Sequence, residues 1–165
     1  ANFFTTPGCL SSPTQFSADS TLINNAATAT YIWNFGDGFT AGSPHAQHTY
    51  QAPGTYTVTL TITDTAGCEG AISLPINVNP PPVAHFSTTT DNCQGQTVSF
   101  ADQSTSPTGY ITQWIWNFGD GNTQTINFPA TSNTSHTFAG AGTYSVTLTV
   151  TNSEGCLHSE SRPVN

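Results

Sequence analysis

The chain has 165 residues, a formal net charge of −8 and one basic residue, Arg162. With 6% charged residues and no cationic surface, nucleic-acid binding and polybasic membrane docking are excluded. The lack of lysine excludes Walker-type phosphate loops, Schiff-base chemistry and Lys–Asn isopeptide bonds. No apolar run approaches the ~20 residues of a spanning helix, so membrane insertion is not expected.

Aromatic residues make up 11% of the chain, which is rich for a disordered polymer. Helix formers are scarce and β-branched residues abundant, so the composition reads as all-β. In chain order, Ala1-Asn2-Phe3-Phe4 begins a strand, and Cys9 precedes a second strand. Tyr31, Trp33 and Phe35 share one face of a third strand, which ends at the turn Gly36-Asp37-Gly38. Gly54 opens a tight turn into Thr55–Thr63. There Tyr56, Val58, Leu60 and Ile62 alternate with threonines, the period of a half-buried strand. Gly67-Cys68 turns the chain into the last strand. Short strands separated by turns, with no helical period, predict a β-sandwich whose core is mostly aromatic.

The same series then repeats. Ile32-Trp33-Asn34-Phe35-Gly36-Asp37-Gly38 recurs as Ile115-Trp116-Asn117-Phe118-Gly119-Asp120-Gly121, at an offset of 83. Gly54-Thr55-Tyr56 recurs as Gly142-Thr143-Tyr144, at an offset of 88. His48 recurs as His136, Cys9 as Cys93 and Cys68 as Cys156. Five extra residues therefore fall within Asn122–Ser135, where a longer hairpin loop is expected. Two domains follow, 1–79 and 84–165, joined by a Pro-rich linker at 80–83 that reads as a semi-rigid spacer. The ends match the linker boundaries, and no Met or signal peptide is present. A processed piece of a longer array of such modules is the expectation.

Small domains need staples. The repeat favours one pair per domain, Cys9–Cys68 and Cys93–Cys156. Each would close a loop of about 60 residues, worth about 4 kcal/mol in the chain-entropy model. Four free thiols or a metal site are the alternatives, although no CxxC spacing occurs.

Trp-Asn-Phe-Gly-Asp-Gly, then His-Thr-Tyr or His-Thr-Phe, then Gly-Thr-Tyr-x-Val-x-Leu-Thr resembles the PKD (polycystic kidney disease) repeat, twice and in order. The resemblance implies two tandem immunoglobulin-like β-sandwiches. Where this chain has Asn34 and Asn117, the commoner family form has Asp. The paired cysteines are similar to those of PKD repeats in large surface proteins of Gram-negative gliding bacteria. Such proteins use the modules as spacers, adhesin shafts or appendages of hydrolases. Trp33, Gly36, Asp37, Gly38, His48 and Tyr56, with Trp116, Gly119, Asp120, Gly121, His136 and Tyr144, are then structural motif residues.

Other candidates carry weaker signals. Asp37 and Asp120 occupy copies of one turn, so they cannot form a catalytic carboxylate pair within a domain. Turn capping is the preferred role. No nucleophile accompanies His48 or His136, so no enzyme is expected. Some PKD domains of collagenases bind calcium, which makes Asp19 and Asp102 the candidate ligands here, although too few acids surround them. No other cofactor is expected. Phe39, Tyr110 and Phe128 lie in loops where rings can stack on glycans. Asn133 begins an N-linked sequon, and Ser20 and Thr65 lie in Asp-Ser/Thr-apolar glycosylation patterns. The expected role is a non-catalytic extracellular module of a surface fibre, stalk or adhesin. Its expected partners are neighbouring modules or copies of itself, through end-to-end or edge-strand contacts. The alternative is a polysaccharide- or protein-polymer-binding accessory module of a secreted hydrolase.

Overall fold

The computed structural model describes residues 1–18, 29–89 and 95–165. Asp19, Ser20 and Cys93 lie outside the described residues. All the secondary structure among the described residues is β. The chain divides into two compact units, Ala1–Pro80 and Pro81–Asn165.

The first module contains β1 (Phe3–Thr5), β2 (Gly8–Cys9), β3 (Thr14–Ala18), β4 (Thr30–Asn34), β5 (Thr40–Ala41), β6 (His45–His48), β7 (Gly54–Thr63) and β8 (Glu69–Asn79). One sheet has the order β1-β3-β6 and the other β2-β8-β7-β4-β5. The alternation read in Thr55–Thr63 is what lets β7 serve both sides of its sheet. Val58, Leu60 and Ile62 are buried, while the Thr59 hydroxyl pairs with Ser73 of β8 at 2.8 Å on the outer face. Trp33, fully buried, meets Phe3 edge-on at 5.1 Å and Phe16 at 5.6 Å, joining the two sheets.

The second module contains β9 (Phe86–Thr88), β10 (Thr97–Asp102), β11 (Ile111–Asn117), β12 (Thr123–Asn127), β13 (Thr134–Thr137), β14 (Tyr144–Asn152) and β15 (Leu157–Val164). Its sheets run β13-β10-β9 and β12-β11-β14-β15. Trp116 repeats the role of Trp33, edge-on to Phe86 at 5.2 Å. Each module is thus an immunoglobulin-like sandwich with an aromatic centre.

One local expectation is corrected. The inserted residues of the second copy do not merely lengthen a loop. They extend the edge strand, so β12 pairs with β11 through five residues where β5 pairs with β4 through two. Asn79 still belongs to β8, and Val83 exchanges backbone hydrogen bonds with Thr105 at 2.8 and 3.0 Å. Only Pro80, Pro81 and Pro82, which lack the N–H that a ladder needs, stay outside the pairing.

The expected Cys9–Cys68 bridge does not form. Cys68 is a free, exposed cysteine, whereas Cys9 and Cys156 are disulfide-bonded. The reason is the length of β8. Cys9 pairs in parallel with Asn79 at one end of that strand, and Cys68 immediately precedes Glu69 at the other. At about 3.4 Å per residue, the strand separates them by roughly 37 Å, against the ~7 Å between Cα atoms that a disulfide tolerates.

Candidate functional site

The polar constellation that the repeat duplicates is built around the Gly-Asp-Gly turns. In the first module the Asn34 carboxamide oxygen accepts from the Gly36 amide at 2.9 Å, and Asp37 Oδ1 accepts from Phe39 N at 3.3 Å. Both are side chain-to-backbone closures two residues apart, the local bonds that Asn and Asp make in turns. Asn34 thus caps the turn as the family's commoner Asp would. Asp37 Oδ2 then meets His48 Nε2 at 2.6 Å. The imidazole lies flat on Phe35, 4.3 Å between centroids, and edge-on to Tyr50 at 4.6 Å. Tyr50 donates to the Phe35 carbonyl at 3.2 Å and packs on Tyr56. Burial, with the nearby Asp37 charge, pushes the Tyr50 hydroxyl far above its usual range, so it remains a donor.

The second copy has the same design. Asn117 Oδ1 accepts from Gly119 N at 3.0 Å, Asp120 meets His136 at 2.7 Å, and His136 stacks on Phe118 at 4.1 Å. Phe138 replaces Tyr50 and stacks on Tyr144 at 4.2 Å. Burial alone would raise the Asp120 carboxyl, but hydrogen bonds from His136 and Asn122 outweigh it and hold the pKa at about 2. Because the folded value is below the ordinary 3.8, this carboxylate's contribution is complete above about pH 4 and is lost as pH falls through 2. Asp120→Asn is therefore expected to flatten the acid limb of the second module's stability between about pH 4 and 2, and thermal melts across that range measure it.

Asp37 and Asp120 each accept from a backbone amide of the turn and meet an imidazole, and among the described hydrogen bonds none joins a hydroxyl or thiol to His48 or His136. The arrangement clamps the turn to the sheet below it. His45, three residues before His48, lies on Ser17 at 3.0 Å instead.

The remaining candidates are dispersed. Asp102 spends both carboxylate oxygens, accepting from Trp114 Nε1 at 2.7 Å and from Ser104 N at 3.0 Å. Among the described residues no group of three His, Cys, Asp or Glu side chains converges as a metal site. Asn133 is exposed just before β13, and its side-chain oxygen accepts from Asp102 N at 2.9 Å. Thr65 is exposed in the turn before Cys68. Phe39, 63% exposed, lies against His48, whereas Tyr110 and Phe128 meet at 5.2 Å on the second module. The hairpin of β11 and β12 brings this pair together, through the bond from Phe128 N to Thr112 O.

One cluster had no assignment in the sequence reading. Arg162 donates to Glu160 at 2.9 and 3.0 Å, touches His85 at 3.0 Å and lies over the Phe86 ring. Glu160 also accepts from Phe86 N at 3.1 Å. Burial would raise its carboxyl, but Arg162 and the Phe86 amide hold it below the usual range. The signal was available, since residues two apart on a strand share a face.

The fold and the clamped turn define a β-sandwich module, present twice. The chain belongs to the PKD domain family, whose model matches residues 3–78 and 79–164. It is 37% identical over 75 residues to collagenase ColA of Bacillus cereus, covering 46% of this chain and 8% of that protein. It is 42% identical over 62 residues to a microbial collagenase of Vibrio alginolyticus, covering 37% of this chain and 7% of that one. Less than a tenth of either relative's length is therefore matched. Among solved structures, the PKD1 domain of Vibrio anguillarum Epp aligns at 31% identity and a TM-score of 0.45, over 52% of this chain and 93% of that one. The fibronectin(III)-like modules of Clostridium thermocellum CbhA share the fold at 13% identity and a TM-score of 0.55, over 94% and 86%.

Proposed function

We propose that the chain is a non-catalytic extracellular structural module, a two-repeat section of a surface fibre, stalk or adhesin that acts as spacer or assembly unit. The observation that carries this reading is the use of the repeated polar residues. Asp37, His48, Asp120 and His136 are consumed by turn clamps within each sandwich. Disulfide-bonded cysteines support an oxidising, extracellular setting.

A second reading is favoured by the Tyr110–Phe128 pair, whose rings are 55% and 58% exposed. Such a platform suits a sugar ring or a protein polymer, and it would make the module an accessory of a hydrolase. Co-sedimentation with insoluble collagen, chitin and cellulose separates the two. The structural reading expects no retention. Retention that disappears in Tyr110→Ala and Phe128→Ala would replace it with the polymer-binding reading.

A further inference from the structure

One sheet of the second module ends on β12, the strand that the added residues extend. The hydrogen bonds flanking it fix which of its backbone groups face inward. Phe118 N donates to Asn122 O at 3.1 Å, and Phe128 N donates to Thr112 O at 2.9 Å. In an antiparallel ladder, bonded pairs alternate with unbonded ones. Residues 122, 124, 126 and 128 therefore bond to β11, while Thr123, Thr125 and Asn127 turn their N–H and C=O groups away from it. Asn127 O indeed accepts from Ala130 N, at 3.0 Å, rather than from β11. All three outward residues are exposed.

The other edge strands among the described residues are short or blunted. β1 and β9 have three residues, β2 and β5 two, and β6 and β13 four. β15 is longer, but it carries Glu160, Arg162 and Pro163. Charge, proline and bulges are the usual protection of an open edge. β12 has none of them, since its five residues are uncharged and pair with β11 without a shift. In the first module the same position turns only Thr40 outward, because Phe35 N donates to Phe39 O and the pairing stops at Trp33 and Ala41.

We propose that β12 is a self-recognition edge, on which β12 of a second copy of this chain adds antiparallel, centred on Thr125. In that register Thr123 lies opposite Asn127 of the second copy, Thr125 opposite its own counterpart, and Asn127 opposite Thr123. Every outward residue then meets an outward residue, whereas a shift by two leaves one of the three unmatched. Charge selects the same strand. The chain carries −8, so two copies repel wherever their acids face each other. Thr-Gln-Thr-Ile-Asn brings no charge to the join, and opposed threonines pair favourably. The contact is isologous, so it closes at two copies. This rests on the assembly-unit reading and gives that unit its partner.

Sedimentation equilibrium of the whole chain from about 10 μM to about 1 mM, the range of a small interface, reads this association. The apparent mass should rise from 17.3 kDa towards twice that value. Thr125→Lys sets two like charges opposite each other and should weaken the association roughly fivefold or more, as should Thr125→Asp. At low salt an equimolar mixture of the two variants should associate more tightly than either alone, because position 125 faces itself. Thr40→Lys should change nothing, and far-UV circular dichroism confirms that each variant is folded. A chain that stays at 17.3 kDa throughout overturns the pairing and leaves the edge to an extended segment of another protein. Association that Thr125→Lys does not weaken, or a mixture no tighter than its parts, overturns it as well. Each of these results leaves the spacer reading standing, because polymer retention tests that separately.

Discussion

Trp33→Ala is expected to destabilise the first module by about 3–5 kcal/mol, the range for removing a large aromatic side chain from a packed core. Trp33 has no exposed surface, meets Phe3 and Phe16, and donates its indole N–H to the Ser43 carbonyl at 2.7 Å. The substitution therefore leaves both a cavity and an unpaired acceptor. Ile32 is the internal control. It precedes Trp33 on β4 but faces outward and is 55% exposed, so Ile32→Ala should change stability by no more than about 0.5–1 kcal/mol. Urea titrations followed by far-UV circular dichroism measure both. Similar shifts for the two would mean that the alternation of β4 does not define the core.

The second large effect concerns two glycines of one turn. Gly36 has φ +83°, and a Cβ there would stand 2.6 Å from the Thr57 carbonyl oxygen and 3.0 Å from its amide nitrogen. Gly38 has φ +96°, but a Cβ there would meet nothing within 4 Å. Gly38→Ala should thus cost only the left-handed backbone penalty of about 1–2 kcal/mol. Gly36→Ala adds a collision with backbone that cannot move without disturbing β7, and should cost about 3 kcal/mol or more. It should also disturb the clamp, because Gly36 N is the donor to Asn34 Oδ1. The His48 imidazole protons, followed by NMR, report that disturbance directly. Equal melting temperatures for the two variants would contradict the close approach of this turn to Thr57.

Much of this fold was legible because its determinants are local. The alternation in Thr55–Thr63 shows which side chains turn inward, and Gly-Asp-Gly specifies a turn whatever surrounds it. The repeat added the correspondence between modules, so Trp33 and Trp116 could be assigned one role. The cysteines show where that reasoning stops. Correspondence pairs Cys9 with Cys93 and Cys68 with Cys156 as equivalents, but it does not show at which end of a strand each one lies. The eleven residues of β8 decide that, and they place Cys9 and Cys68 too far apart to bond. The added residues after Gly121 were misread for a similar reason. A polar run such as Thr123-Gln124-Thr125 is a strand only because β11 offers it an edge. The contact of Tyr110 with Phe128 likewise depends on that hairpin, and no spacing rule joins two residues so far apart.

Peptide mapping of the unreduced, alkylated chain tests most directly the claim that β8 holds Cys9 and Cys68 at its opposite ends. The account predicts the alkyl label on Cys68 and none on Cys9 or Cys156, with no peptide linking Cys9 to Cys68. A Cys9–Cys68 linked peptide from the folded chain would contradict it.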